Sequence, residues 1–231
     1  MALRLLIDSA DPQSWEGLWP LGLFQGITTN PTLLKRAGIP CTLQALAGLA
    51  EEAYRLGIRE LHLQAWGSTT EELLDCARAL ADLSPQCVVV KLPLTQAGLL
   101  TSRLLLERGT RVTLTACYGA PQVLAAAALA CTYVAPYLGR IQDEGRDGFA
   151  EVLSMQQCLV GLGSPTRLLV ASLRTPEDLS RLAPSGIDTF TLSPPLARQL
   201  WSHPSTEADA LKFQADASWQ NSLHQKGPPL H

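Results

Sequence analysis

Cys87-Val88-Val89-Val90-Lys91-Leu92-Pro93-Leu94 reads as a strand that is apolar on both faces and carries a single charge. A strand keeps that composition when both faces are covered, as in a parallel sheet wrapped by helices. Period-two alternation puts Lys91 on the same face as Val89. Working outward, β-type runs recur at Arg4–Ile7, Gly26–Thr28, Glu60–Gln64, Cys87–Lys91, Arg111–Thr115, Tyr133–Pro136, Arg167–Ala171 and Thr189–Leu192. Their starts lie 22 to 34 residues apart. That is roughly what a strand of about 5 residues, a helix of about 11 and two short loops require.

Helix signals fill the gaps. Asn30-Pro31 reads as an N-cap and first turn, Thr69 and Glu72 have capping-box spacing, and Gly57 and Gly109 sit where helices should end. Eight such units in 231 residues predict an α/β fold, a closed (β/α)8 TIM barrel. An open doubly wound sheet fits the periodicity as well, although no GxGxxG or P-loop supports it. Residues 1–204 are expected to form the barrel, and 205–231 an additional C-terminal helix and tail. Ala208, Leu211, Ala215 and Trp219 fall near helical spacing, so their stripe needs a surface, on its own barrel or on another subunit. Gly227-Pro228-Pro229 reads as a frayed tail.

At 46% hydrophobic and 17% charged the chain can fill a large core. Its net charge of −3, without a basic cluster, argues against nucleic acid as a partner. A small anionic substrate must then be met by a few placed cations. The apolar opening Met1–Ile7 stops at Asp8, short of a signal-peptide core or a membrane span. Six scattered cysteines, Cys41, Cys76, Cys87, Cys117, Cys131 and Cys158, include no CxxC pair and no neighbouring His that would complete a metal site. Reduced thiols in a cytoplasmic protein, with no membrane partner, are the expectation.

What ends each strand carries the chemical signal. Asp8 follows the first strand, Asn30 the second, Gln64 ends the third and Lys91 the fourth. Thr115 ends the fifth, Tyr137 follows the sixth, Ser172 the seventh and Ser193 the eighth. In a barrel these positions share the C-terminal rim, where active sites are built. A lysine sheltered there loses hydration, its pKa falls, and a free amine becomes available to attack a carbonyl. Plainer roles stay open. Lys91 can snorkel out of the strand end, Asp8 can cap a helix starting at Pro12, and Asn30 can cap one starting at Pro31. Gln64, Thr115 and Tyr137 can be satisfied polar groups, and the arginines surface ion pairs.

Asp8, the run Gly26-Ile27-Thr28-Thr29-Asn30-Pro31, Val90-Lys91-Leu92-Pro93, Tyr133-Val134-Ala135-Pro136-Tyr137 and Ala171-Ser172 resemble the motifs of the small transaldolases and fructose-6-phosphate aldolases. The resemblance runs in register from Leu3 to about Trp219. It implies a class I enzyme without metal or other cofactor, in which Lys91 forms a Schiff base with a substrate ketone. Asp8 would move protons during carbinolamine formation, and Asn30 and Thr28 would contact substrate. Gln64, Thr115 and Tyr137 would hold a proton-shuttling water. Arg140, Ser172 and Arg174 would bind the phosphate of a sugar-phosphate or aldehyde substrate. The family also implies a homo-oligomer, a pentamer or decamer.

Family transaldolases usually carry Glu at Gln64, Phe at Tyr137 and Asn at Thr113, so all three positions depart toward the aldolase branch. Trp66, Thr113 and Cys117 are expected near the rim, where they would tune preference. Transfer of a dihydroxyacetone unit is the alternative activity. A non-catalytic sugar-phosphate binder is argued against by the intact Asp8, Asn30 and Lys91 set. A metal-dependent aldolase is weakened because none of His62, His203, His224 and His231 ends a strand beside paired carboxylates.

Overall fold

The computed structural model describes the backbone of residues 3–225 and the side-chain surroundings of residues 3–218. Eight strands, β1 (Arg4–Asp8), β2 (Phe24–Thr28), β3 (Leu61–Gln64), β4 (Val88–Pro93), β5 (Val112–Cys117), β6 (Tyr133–Pro136), β7 (Arg167–Val170) and β8 (Thr189–Leu192), pair in sequence order. All ladders are parallel, and β8 pairs back onto β1. The sheet is therefore closed, and the doubly wound alternative is gone.

Strand limits differ from the sequence expectation where tertiary pairing extends them. Leu92 and Pro93 continue the ladder against Leu114 and Thr115, so Lys91 lies inside β4 rather than at its end. β5 runs on to Cys117 through a register shift between Thr115 and Cys117. Ala116 within it has φ 59°, the left-handed region that a bulge demands.

The capping signals are realised. Asn30 accepts from the Leu33 amide at 3.0 Å and caps the Pro31–Arg36 helix. Thr69 and Glu72 form the expected reciprocal box. Gly57 and Gly109 take φ 71° and 76° just past helix ends. The Pro12–Leu18 helix is capped by Asp11, which accepts from the Gln13 amide at 3.1 Å. Asp8 is thereby released from the capping role and turns toward the barrel axis.

Two apolar cores result. The larger lies between the sheet and its helices. The smaller, Leu6, Val89, Tyr133, Ala135 and Leu169, fills the barrel itself. Inward-facing side chains of alternate strands make such a barrel solid rather than a pore.

Below that plug, charged groups close the N-terminal end. Arg4 donates to the Tyr133 hydroxyl at 2.8 Å, which donates to Glu60 at 2.8 Å, and Arg111 reaches the same carboxylate at 3.0 Å. Burial pushes the Glu60 carboxyl up, but hydrogen bonds and positive charge override it and hold the pKa at about 2. His62 Nε2 lies 3.6 Å from Glu60, long for a hydrogen bond, and burial pushes the imidazole pKa down. At neutral pH the Tyr133 hydroxyl and Arg111 therefore carry most of this stabilisation.

The C-terminal segment forms one helix, Pro204–Gln225. Its described side chains are exposed, with Leu211 at 74% and Phe213 at 66%. Over the described residues, 204–218, it does not pack on its own barrel. The Trp219 side chain and Gly227-Pro228-Pro229 lie outside the described residues. Among the described residues no helix is long and apolar enough to cross a membrane.

Candidate active site

A cavity of about 310 Å³ opens at the C-terminal ends of the strands. Lys91, Asp8, Thr28, Asn30, Tyr137, Arg140 and Ser172 all line it. Seven of the ten expected site residues thus converge on one space.

Lys91 forms the floor. It is 5% exposed, and its Nζ donates to the Thr29 carbonyl at 2.8 Å. Burial pushes its pKa below the ordinary lysine range, and the nearby Asp8 only partly offsets this. Asp8 is pushed the opposite way, upward, by the same burial, against Lys91 and the Thr28 hydroxyl. Two buried groups of opposite sign that are both driven toward neutrality share protons readily. The amine is thus brought toward its nucleophilic form, with a proton carrier beside it.

Asp8 is held by neighbouring strands. Thr28 Oγ1 donates to Asp8 Oδ1 at 2.6 Å, and Thr191 Oγ1 lies 2.5 Å from Thr28 Oγ1. With the Thr28 hydrogen committed to the carboxylate, Thr191 donates in turn. Thr191 was not singled out from sequence. Its signal is the inward alternation of Thr189 and Thr191 on β8, which has meaning only once the barrel closes.

On the opposite wall Thr115 Oγ1 and the Tyr137 hydroxyl are 2.7 Å apart. Burial raises the Tyr137 pKa, so the phenol keeps its proton. The Arg140 guanidinium stacks 4.6 Å from the Tyr137 ring centroid. Gln64 is half-buried and stands beside Lys91 in the β3–β4 register. Neither Gln64 nor Thr115 lines the cavity directly; Thr115 is connected to it through Tyr137.

Ser172 adopts φ 60°, a left-handed conformation costing a non-glycine residue roughly 1 kcal/mol or more. The strain accompanies a close approach. The Gly139 amide donates to the Ser172 carbonyl at 2.9 Å, and a Cβ on Gly139 would meet that oxygen at 2.5 Å. Glycine at 139 therefore lets the Leu138–Asp143 helix start against the end of β7, placing Arg140 and Ser172 on one wall.

Arg174 is not brought to the cavity. Its side chain is 54% exposed and engages both Asp143 oxygens at 2.5 and 2.6 Å, as well as the Gly139 carbonyl at 3.1 Å. The family resemblance implied that it would bind the phosphate. In the structure its guanidinium is engaged by Asp143, a carboxylate 31 residues upstream in the chain.

None of the three residues expected to tune preference lines the cavity. The bulge at Ala116 turns Cys117 out of the barrel interior, and its Sγ lies fully buried 3.9 Å from Met155 Sδ. Thr113 lies within the barrel, 3.0 Å from His62 Nδ1. Trp66 packs partly buried on the helix-facing core.

A family profile described as Transaldolase/Fructose-6-phosphate aldolase matches residues 5–227. A probable transaldolase of Desulfitobacterium hafniense is 34% identical over 218 residues, covering 94% of this chain and 99% of the relative. One of Anaeromyxobacter dehalogenans is 34% identical, with 93% and 96% covered, and one of Rhodospirillum centenum is 33% identical, with 98% and 96% covered. Fold, cavity and these likenesses together define a barrel enzyme of the aldolase or transaldolase type. The chain belongs to the transaldolase/fructose-6-phosphate aldolase family.

Proposed function

We propose that Lys91 forms a Schiff base with the ketone of a sugar phosphate. In this reading the enzyme cleaves fructose 6-phosphate to dihydroxyacetone and glyceraldehyde 3-phosphate, or joins them. The observation that carries it is a buried lysine on a cavity floor, its pKa pushed down by burial, facing the same cavity as the desolvated Asp8 carboxyl.

The neutral amine attacks the ketone carbon, and Asp8 delivers the proton that lets the carbinolamine oxygen leave as water. The iminium then draws in the electrons of the adjacent carbon–carbon bond. As that bond breaks, the proton of the departing carbinol passes to a water held by Tyr137, Thr115 and Gln64, and an aldehyde is released. The remaining enamine takes a proton on carbon from the same relay, and hydrolysis of the iminium frees dihydroxyacetone. Asn30 and Thr28 orient the donor hydroxyls. Ser172 and Arg140 receive the phosphate, and Arg174 braces that wall through Asp143 and Gly139.

Protonation and release, rather than transfer, are favoured by the phenol of Tyr137, which has a proton to give where a phenyl ring has none. The transfer branch is supported by the relatives, each named a probable transaldolase. Borohydride added with dihydroxyacetone should fix an adduct that peptide mass mapping places on Lys91. No adduct, or one on another lysine, removes the mechanism. Free dihydroxyacetone should appear from fructose 6-phosphate alone; strict dependence on erythrose 4-phosphate would select transfer.

The six free thiols, three of them buried, suit a reducing cytoplasm. The helix Pro204–Gln225, exposed over residues 204–218, is the element offered to neighbouring copies in a homo-oligomer; a monomer by light scattering would remove that part.

A further inference from the structure

The cavity holds two guanidiniums besides the amine on its floor, and one of them was not expected. Arg36 lies in the last turn of the Pro31–Arg36 helix, three residues after Leu33, and both line the cavity. Helical spacing puts positions 33 and 36 on one face, while Lys35 of the same turn is exposed and does not line the cavity. Arg140 enters from the Leu138–Asp143 helix. These helices follow β2 and β6, which are four strands apart in a ring of eight. The two guanidiniums therefore reach over the mouth from facing walls.

Their charge is available. Among the described residues neither Arg36 nor Arg140 is engaged in an ion pair, whereas Arg174 is neutralised by both oxygens of Asp143. Arg36 and Arg140 both act on the Asp8 carboxyl, so both face the same interior. Lys91 is buried at the floor and the arginines are exposed at the rim. An extended substrate with its ketone on Lys91 must carry its outermost group up to that rim. A phosphate dianion arriving there meets two guanidiniums that no carboxylate neutralises among the described residues, Arg140 being steadied by the Tyr137 ring and Tyr118, and both are suited to charge-assisted hydrogen bonding.

We propose that Arg36 is a specificity-determining residue that grips the substrate phosphate from the wall opposite Arg140. This rests on the reading of the cavity as a sugar-phosphate site and names a contact that reading lacked.

The test uses D-glucitol 6-phosphate, which has no carbonyl and cannot form an imine. Its Kd is measured by calorimetry on the full-length protein, on Arg36→Gln, on Arg36→Lys and on the charge-matched control Lys35→Gln. Losing one charge-assisted contact should weaken binding about tenfold or more in Arg36→Gln. Lysine should recover part of the loss, and Lys35→Gln should stay within about twofold. Arg36→Gln within twofold of wild type, Arg36→Lys no better than Gln, or an equal loss in Lys35→Gln would overturn the proposal. Borohydride trapping of unphosphorylated dihydroxyacetone on wild type reports separately on Lys91. Arg36-dependent binding without a trapped adduct would therefore sink the Schiff-base reading and leave the phosphate contact standing.

Discussion

The two ends of the barrel both bury charge, and they handle it in opposite ways. At the N-terminal end Glu60 faces His62, the Tyr133 hydroxyl and Arg111, which together override its burial and bring its pKa down to about 2, with Arg4 3.7 Å away. At the C-terminal end Lys91 has a backbone carbonyl as its hydrogen-bond partner, and it and Asp8 are both pushed toward their neutral forms. A satisfied ion network holds structure together. An unsatisfied one stores reactivity, at some cost in stability, beside a cavity where a ligand can use it. The difference separates the end of the barrel that stabilises from the end that reacts.

Substitution at Lys91 gives the largest effect that follows. Lys91→Met should lower carbon–carbon bond cleavage by on the order of 10³-fold or more. It should leave thermal stability unchanged or raised, because an apolar side chain replaces a desolvated amine. The pH dependence has a definite sign. The folded-state pKa of Lys91 lies below the unfolded value near 10.5, so the wild type binds fewer protons folded than unfolded. The stability advantage of Lys91→Met should therefore grow as pH falls from about 10.5 through the folded pKa. Calorimetric melting across that range checks it, and a large loss of stability would mean that the lysine is structural.

Glu60→Gln should show the reverse. We expect a loss of roughly 2–3 kcal/mol in denaturant unfolding, because Arg111 and Arg4 lose their buried counter-charge, with kcat changed by less than about threefold. The Glu60 contribution is fully present above the unfolded carboxylate pKa near 4.5 and is lost as pH falls toward its folded value of about 2. The gap between wild type and variant should close over that window. A gap that persists at pH 2 would show that packing, not charge, holds this end together.

The smallest effect sharpens the comparison within the reactive end. Tyr137→Phe removes the phenol next to Thr115 and should lower release of free dihydroxyacetone by roughly tenfold, with a smaller drop in transfer to erythrose 4-phosphate. Equal losses in both assays would show that the hydroxyl positions substrate and does not choose between protonation and transfer.

Much of this was legible along the chain, since it depends on local chemistry. Alternation in Cys87–Leu94, the repeat of strand-type runs, and the caps at Asn30, Thr69, Gly57 and Gly109 are short-range consequences of backbone hydrogen bonding and side-chain shape. They determined the eight βα units and hence the shared rim on which Asp8, Asn30, Lys91 and Tyr137 meet. Closure of the ring was a matter for tertiary structure, and so was everything that depends on which distant groups become neighbours. Only the folded chain gives Arg174 to Asp143, brings Thr191 beside Thr28, turns Cys117 outward at the Ala116 bulge and aims Arg36 over the mouth. Spacing along a chain fixes which face a residue occupies, but charges and hydrogen bonds act through space, and their partners are chosen by packing.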